Sequence, residues 1–218
     1  MSFHLQAGLA ARQGRAALAG MNLVLDWDGT VTAEDSLHVA ILRFGDPEVY
    51  RSTEERLGRR LTLHEVIAVE METITAPLEE VVAHLVEHVA VRPGFRELVE
   101  RFDPLIVSAG FHELIEPILA REGLRTRVLA NSIEADPAGW RATFRDEEPC
   151  DVCGEPCKRA AVAEIGRFAY AGDGYSDRCI ALAADRVFAR DGLAAWLDAR
   201  GLSFEPYADL RDVAVRLA

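Results

Sequence analysis

Residues 23–32 read LVLDWDGTVT, an apolar run that stops at two aspartates, Asp26 and Asp28, with Trp27 between them. A few apolar residues bounded by Asp, Gly and Thr predict a buried strand running into a turn. In an open parallel sheet, ligands bind beyond the carboxyl ends of the strands, which puts both aspartates where a reacting group would be held. Alone, D-x-D-G-T is also an ordinary polar turn closing a strand. Its meaning depends on what the rest of the chain brings to the same place.

Downstream, from about Glu34 to Arg92, the pattern is helical. Thr62-Leu63-His64-Glu65 predicts a capping box, followed by Leu63, Val66, Ile67, Met71 and Ile74 at helical spacing. Pro77 suits the first turn of another helix whose stripe is Leu78, Val81, Val82, Leu85, Val86 and Val89. From Pro93 onward, helices alternate with short apolar strands. PLIVSAG (104–110) is a strand, FHELIEPILAREG (111–123) a helix ended by Gly123, RVLANSI (127–133) a strand, and DPAG (136–139) a turn into a strand around Trp140 to Phe144. A helix over Lys158 to Ile165, a strand over Phe168 to Ala171, a helix after Ser176, a strand over Arg186 to Ala189 and a helix over Leu193 to Ala199 follow.

Such an order predicts an α/β fold: a doubly wound parallel sheet covered on both faces, with a helical cap inserted after the first strand. The expected division is an N-terminal extension over 1–20, a core of 21–33 and 93–218, and a cap of 34–92, with Met21 as the start of the fold.

The 218 residues can bury a full core. A net charge of -12 argues against nucleic-acid and anionic-membrane partners, although a local cation would still admit a small anion. No apolar run approaches bilayer length and the first twenty residues hold no secretory apolar region, so the expected location is cytoplasmic. Oligomeric state is open, a homodimer included.

Several polar signals fall at predicted strand ends: Asp26 and Asp28 after the first, Ser108 after the second, and GDGYSD (172–177) after a later one, with Lys158 opening a helix. The bland reading is a set of caps and turns. Taken together, they place four carboxylates, a hydroxyl and an ammonium at one rim of one sheet. Carboxylates held that close require a compensating hard cation with oxygen ligands, for which Mg²⁺ is the natural choice.

The order DWDGTVT, SAG, a lysine and GDGYSD resembles the haloacid dehalogenase superfamily of phosphatases. The insert is similar to the cap of its phosphoserine-phosphatase-like branch. The resemblance implies a phosphatase acting on a small phosphorylated metabolite, with Asp26 as nucleophile, Asp28 as general acid and base, and Ser108 and Lys158 binding the phosphoryl oxygens. Gly29, Thr30, Ala109 and Gly110 would line the phosphate cradle. Asp26, Asp173 and the backbone carbonyl of Asp28 would hold Mg²⁺, with Asp177 supporting that shell. Asp35 stands where phosphoserine phosphatases carry a glutamate facing the substrate amine. Asp28 favours phosphoryl transfer, since family dehalogenases lack the second aspartate. Within the branch, CDVCGEPCKR (150–159), VFARDGL (187–193) and FEPYADL (204–210) are most similar to the methionine-salvage phosphatases acting on 2-hydroxy-3-keto-5-methylthiopentenyl-1-phosphate. Phosphoserine, phosphocholine or phosphoethanolamine as substrate, a phosphomutase, and a non-catalytic protein that binds a phosphometabolite are the alternatives.

Other features stand apart from this set. Cys150, Cys153 and Cys157 have zinc-like spacing, but no fourth ligand is evident nearby, and free thiols are the preferred reading. His84 to His88 fits H-x-x-E-H, yet it lies on the flank of an apolar helix in the insert and is expected to be solvated or cap-facing. Glu79 and Glu80 are favourable first-turn charges. Trp27 should point away from the phosphate, Tyr175 and Ser176 should shape the pocket rim, and Trp140 and Phe144 are expected to pack.

Overall fold

A computed structural model describes residues 20–218. The expected N-terminal extension, apart from Gly20, lies outside the described residues. Strand β1 (Asn22–Leu25) is the centre of a seven-stranded sheet. It pairs in parallel with β2 (Leu105–Phe111) on one side and β5 (Phe168–Gly172) on the other. Strands β3 (Arg127–Glu134) and β4 (Arg141–Thr143) extend the first side, and β6 (Arg186–Ala189) and β7 (Glu205–Pro206) the second. Only the β3–β4 pairing is antiparallel.

The alternation along β1 explains why its sequence is continuously apolar. Leu23 and Leu25 enter one apolar cluster while Val24 enters another on the opposite face. A central parallel strand is covered on both sides and leaves no polar face. The chain winds outward from β1 in both directions, so the crevice at the carboxyl ends of β1 and β5 is the topological switch point.

The insert after β1 is helical, as expected. It contains α1 (Ser36–Phe44), α2 (Pro47–Glu54), α3 (Leu63–Met71) and α4 (Leu78–His88). The capping box forms at α3: the Thr62 hydroxyl accepts from the Glu65 amide, and Glu65 Oε2 accepts from the Thr62 amide at 2.7 Å. The first two helices have weak sequence signatures. Helix α2 buries only Thr53, so it has no apolar stripe; Asp46 at its N-cap and Pro47 at its start define it instead.

The insert leaves and re-enters the core at one place. Thr32 and Val91 form an antiparallel bridge, the Ala33 amide donates to Ala90 O at 2.8 Å, and the Arg92 amide donates to Val31 O at 2.8 Å. The β3–β4 hairpin also reaches the cap. Trp140 is fully buried, its amide donating to Ile74 O and its indole to Ala76 O, both at 3.0 Å. That is the packing role expected of it.

The core helices are α5 (Phe95–Phe102), α6 (His112–Arg121), α7 (Arg178–Ala181), α8 (Asp191–Asp198) and α9 (Leu210–Arg216). The expected helix over Lys158 to Ile165 is instead a 3₁₀ segment, Lys158–Val162. It buries only Lys158 and Val162, too little to support an α-helical stripe, and Gly166 at φ 75 follows it. The helix expected after Ser176 likewise begins as a 3₁₀ turn, Tyr175–Asp177, and continues for one α-turn. No described helix is long and apolar enough to cross a membrane.

Gly94, which opens α5, has φ 97, and a Cβ there would lie 2.3 Å from the Arg211 amide nitrogen at the start of α9. Gly94→Ala should therefore destabilise the fold by more than about 1 kcal/mol. A lower denaturant midpoint at unchanged slope would show it; an unchanged midpoint would contradict it.

Candidate active site

Asp26 immediately follows β1, where its amide donates to Ala171 O of β5 at 2.9 Å. Its carboxylate accepts from the Lys158 ammonium, which also donates to Asp177 Oδ1 at 2.7 Å. All three side chains are buried. Asp177 is held on every side: the Tyr170 hydroxyl donates to Oδ1 at 2.6 Å, and the amides of Asp173 and Gly174 donate to Oδ2 at 2.8 and 2.9 Å. Asp173 accepts from the Thr30 hydroxyl at 3.0 Å. Gly29 makes this arrangement possible, since it sits at φ 76 and a Cβ would lie 2.3 Å from Asp173 Oδ2.

Asp28 faces the cap. Its Oδ1 accepts from both the amide, at 2.7 Å, and the hydroxyl of Ser36, the first residue of α1. Asp35 caps the same helix, accepting from the His38 amide at 3.0 Å. Opposite, the regular β2–β3 pairing stops at Val107 and resumes at Phe111. Ser108, Ala109 and Gly110 fall in that irregularity, with the Gly110 amide donating to Ser108 Oγ at 2.8 Å and Asn131 fixing the Ala109 carbonyl at 2.7 Å.

One cavity of about 380 Å³ is lined by Asp26, Asp28, Gly29, Asp35, Ser108, Ala109, Gly110, Lys158 and Asp173. Thr30 and Asp177 are buried behind its wall. The cap closes it with His38, Glu54 and Glu70. A second cavity of about 330 Å³ adjoins it through Ser108, Ala109 and Lys158, and Val152, Leu182 and Trp196 give it an apolar side. Tyr175 and Ser176 border both cavities.

The electrostatics follow from burying acids together. Burial, then the Asp177 charge, push Asp26 up to about 7 against the pull of Lys158. Burial and Asp35 push Asp28 up to about 7. Asp173 is driven highest, to about 9, by burial and by the Asp26 and Asp177 carboxylates. Burial works against the Lys158 ammonium, but Asp177 and Asp26 outweigh it and raise its pKa. Burial also opposes ionisation of Asp177, yet Lys158 and the Gly174 amide hold its carboxyl below the usual range. One ammonium is too little positive charge for three carboxylates. Oxygens of Asp26, Asp173 and Asp177 lie within 4.8 Å of one another, a hard donor set that suits Mg²⁺.

Several contributors have no sequence motif. Ser36 reaches Asp28, Tyr170 reaches Asp177, and the Arg92 guanidinium donates to the carbonyls of Gly29, at 3.2 Å, and Ala33, at 3.1 Å, beside the cap crossing. Arg92 follows the helical stripe ending at Val89, which was its only signal. Trp27 is buried edge-on against Phe95, pointing away from the cavity. His84 and His88 stack on each other on α4, with His84 half-buried against Phe44 and His88 exposed. Phe144 stacks on His64. Cys179, distant in sequence, joins Cys150, Cys153 and Cys157.

The haloacid dehalogenase-like hydrolase profile matches residues 23–182. The chain is 29% identical over 206 residues to a 2-hydroxy-3-keto-5-methylthiopentenyl-1-phosphate phosphatase of Brevibacillus brevis, covering 88% of this chain and 92% of that one. An equally named protein of Bacillus thuringiensis subsp. konkukian is 27% identical over 207 residues, covering 88% and 93%. Among solved structures, a substrate-bound phosphoserine phosphatase superposes with a TM-score of 0.69 at 17% identity, covering 91% of this chain and 99% of that one. The phosphoserine phosphatase of T. onnurineus gives 0.66 at 19% identity, covering 90% and 94%. The chain belongs to the haloacid dehalogenase-like hydrolase family and is of its phosphatase type.

Glu70 offers a test of the buried charge in the cap. It is 1% exposed, accepts from the Thr53 hydroxyl, and burial pushes it from 4.5 to about 7. Between those values the folded chain binds more protons than the unfolded one, so this group makes stability fall as pH rises through the window and level off above it. Glu70→Gln should gain stability relative to the parent from pH 4.5 to pH 7 and hold that gain above it. A pH-independent difference in denaturant midpoints would contradict this.

Proposed function

We propose that the chain is a Mg²⁺-dependent phosphatase that hydrolyses a small phosphomonoester through an aspartyl-phosphate. The observation that carries the reading is the buried Asp26 carboxylate, held by Lys158 at the floor of a cavity that also presents Asp28 and the Ser108–Gly110 turn. Asp26, Asp173 and the Asp28 carbonyl would hold Mg²⁺, with Asp177 fixing the loop that carries Asp173. Bound there, the ion would supply charge stabilisation for the phosphoryl oxygens.

The protein's own groups account for the proton and bond changes. An Asp26 oxygen attacks phosphorus as the bond to the leaving oxygen breaks. Asp28, raised to about 7 and aimed by Ser36, gives its proton to that oxygen. The resulting carboxylate takes a proton from water as the water attacks the acyl-phosphate, releasing phosphate and restoring Asp26. Lys158, Ser108 and the amides of the Ser108–Gly110 turn bind the phosphoryl oxygens. Closure of the cap excludes bulk water.

The leading substrate is 2-hydroxy-3-keto-5-methylthiopentenyl-1-phosphate, on the strength of the named relatives. The adjoining cavity, with Val152, Leu182 and Trp196, offers an apolar place for a thioether tail. A second reading rests on the cap side, where Asp35, Glu54 and Glu70 face the cavity. Three acids suit an ammonium, as in phosphoserine or phosphoethanolamine.

Asp26→Asn should abolish release of phosphate from p-nitrophenyl phosphate in Mg²⁺ while leaving the fold intact by circular dichroism. Substantial retained turnover would refute the nucleophile assignment. Across a panel of these phosphomonoesters, kcat/KM should be highest for the methylthio compound. Highest values for the ammonium compounds, lost in Asp35→Asn, would select the second reading.

A further inference from the structure

We propose that Cys150, Cys153, Cys157 and Cys179 form a structural zinc site that fixes the catalytic lysine loop to the segment carrying Asp177. The four sulfurs all lie within 4.8 Å of one another, although Cys179 comes from α7 and the others from the loop before Lys158. Zinc–sulfur bonds of about 2.3 Å in a tetrahedron put sulfurs roughly 3.8 Å apart. The Cys150 and Cys179 sulfurs are 3.8 Å apart, and all four cysteines are free of disulfides. A disulfide would join one pair and leave the rest; mutual proximity of all four is what a central cation needs.

The local backbone supports the same reading. The Val152 amide donates to Cys150 Sγ at 3.4 Å, and the Cys153 amide points to the same sulfur. The Gly154 amide closes the turn on Cys150 O at 2.7 Å, with Gly154 at φ 78. Amides aimed at a sulfur favour its thiolate form, the form that binds metal. Two guanidinium groups lie near the cluster, alongside the Glu155 carboxylate. Arg159 donates to Cys179 O at 3.1 Å, and Arg178, whose buried Nε has no acceptor among the described residues, lines the cavity that Cys153, Cys157 and Cys179 border. On binding, four S–H bonds give four protons to water and four Zn–S bonds form, leaving a net charge of minus two beside two guanidinium groups. Zinc stays divalent throughout.

The site also explains how an irregular loop can carry a buried catalytic group. No helix or strand occurs between β4 and the 3₁₀ segment opened by Lys158. Cys157 adjoins Lys158, and Cys179 is two residues beyond Asp177, so one ion would bind both sides of the Lys158–Asp177 pair. The inference does not depend on which phosphomonoester is hydrolysed.

Full-length protein, purified in magnesium buffer without added zinc or chelator, should carry stoichiometric zinc by elemental analysis. Its thiols should resist a thiol reagent until unfolding in chelator, when all four react as zinc is released. Cobalt(II) taken up instead should show the charge-transfer bands and strong visible absorption of a tetrahedral thiolate complex. Cys150→Ser and Cys179→Ser should lose the metal, and Asp173→Asn should keep it. Freely reacting thiols without metal would overturn the proposal, as would only two reactive thiols after unfolding, which signals a disulfide. Zinc lost in Asp173→Asn but kept in the cysteine variants would also overturn it. If the cysteine variants fail to fold, the zinc content and cobalt spectrum of the parent protein still decide.

Discussion

A single buried ammonium holds the site together. Lys158 lies between Asp26 and Asp177, and the three side chains come from the first residue of a 3₁₀ segment, the end of β1 and the turn after β5. Removing one partner from such a group leaves an uncompensated buried charge, at a cost of about 3–5 kcal/mol. The sheet brings the two aspartates side by side because β1 and β5 pair directly, and Tyr170 of β5 adds a further donor to Asp177. The lysine that neutralises the pair also faces the cavity, where the proposed chemistry would use it. Structural demands and the proposed catalytic ones therefore fall on the same three residues.

Charge at this rim is graded. Asp177, in contact with lysine, tyrosine and two amides, stays ionised, whereas Asp173, with a single hydroxyl donor, is pushed furthest towards its neutral form. Asp28 depends on the cap, since its hydrogen bonds come from Ser36 at the start of α1. The proposed proton carrier, Asp28, is thus set by the element that covers the site, while the proposed nucleophile, Asp26, is set by the core.

Much of this was legible in the sequence because strand ends and caps are local. LVLDWDGT reads as a buried strand and turn, and Thr62 to Glu65 as a capping box, from residues that interact with near neighbours. Helix α2 was hidden because its defining contacts are a cap and one buried threonine rather than an apolar stripe. The segment after Lys158 has helical composition but folds as a 3₁₀ turn, burying little beyond the lysine itself. Ser36 meets Asp28 eight residues away, Tyr170 meets Asp177 seven away and Cys179 meets Cys150 twenty-nine away, each through a turn or loop that folds back. No period or spacing encodes them.

The bridge between Thr32 and Val91 bears on the length of the insert. The insert's two ends meet as neighbouring backbone strands, joined by hydrogen bonds from Ala33 to Ala90 and from Arg92 to Val31. The core therefore closes the chain at that junction whatever lies beyond it, and added length costs little because loop-closure entropy grows only logarithmically. Such a junction would let the covering module change in length without disturbing the strand that leads to Asp26.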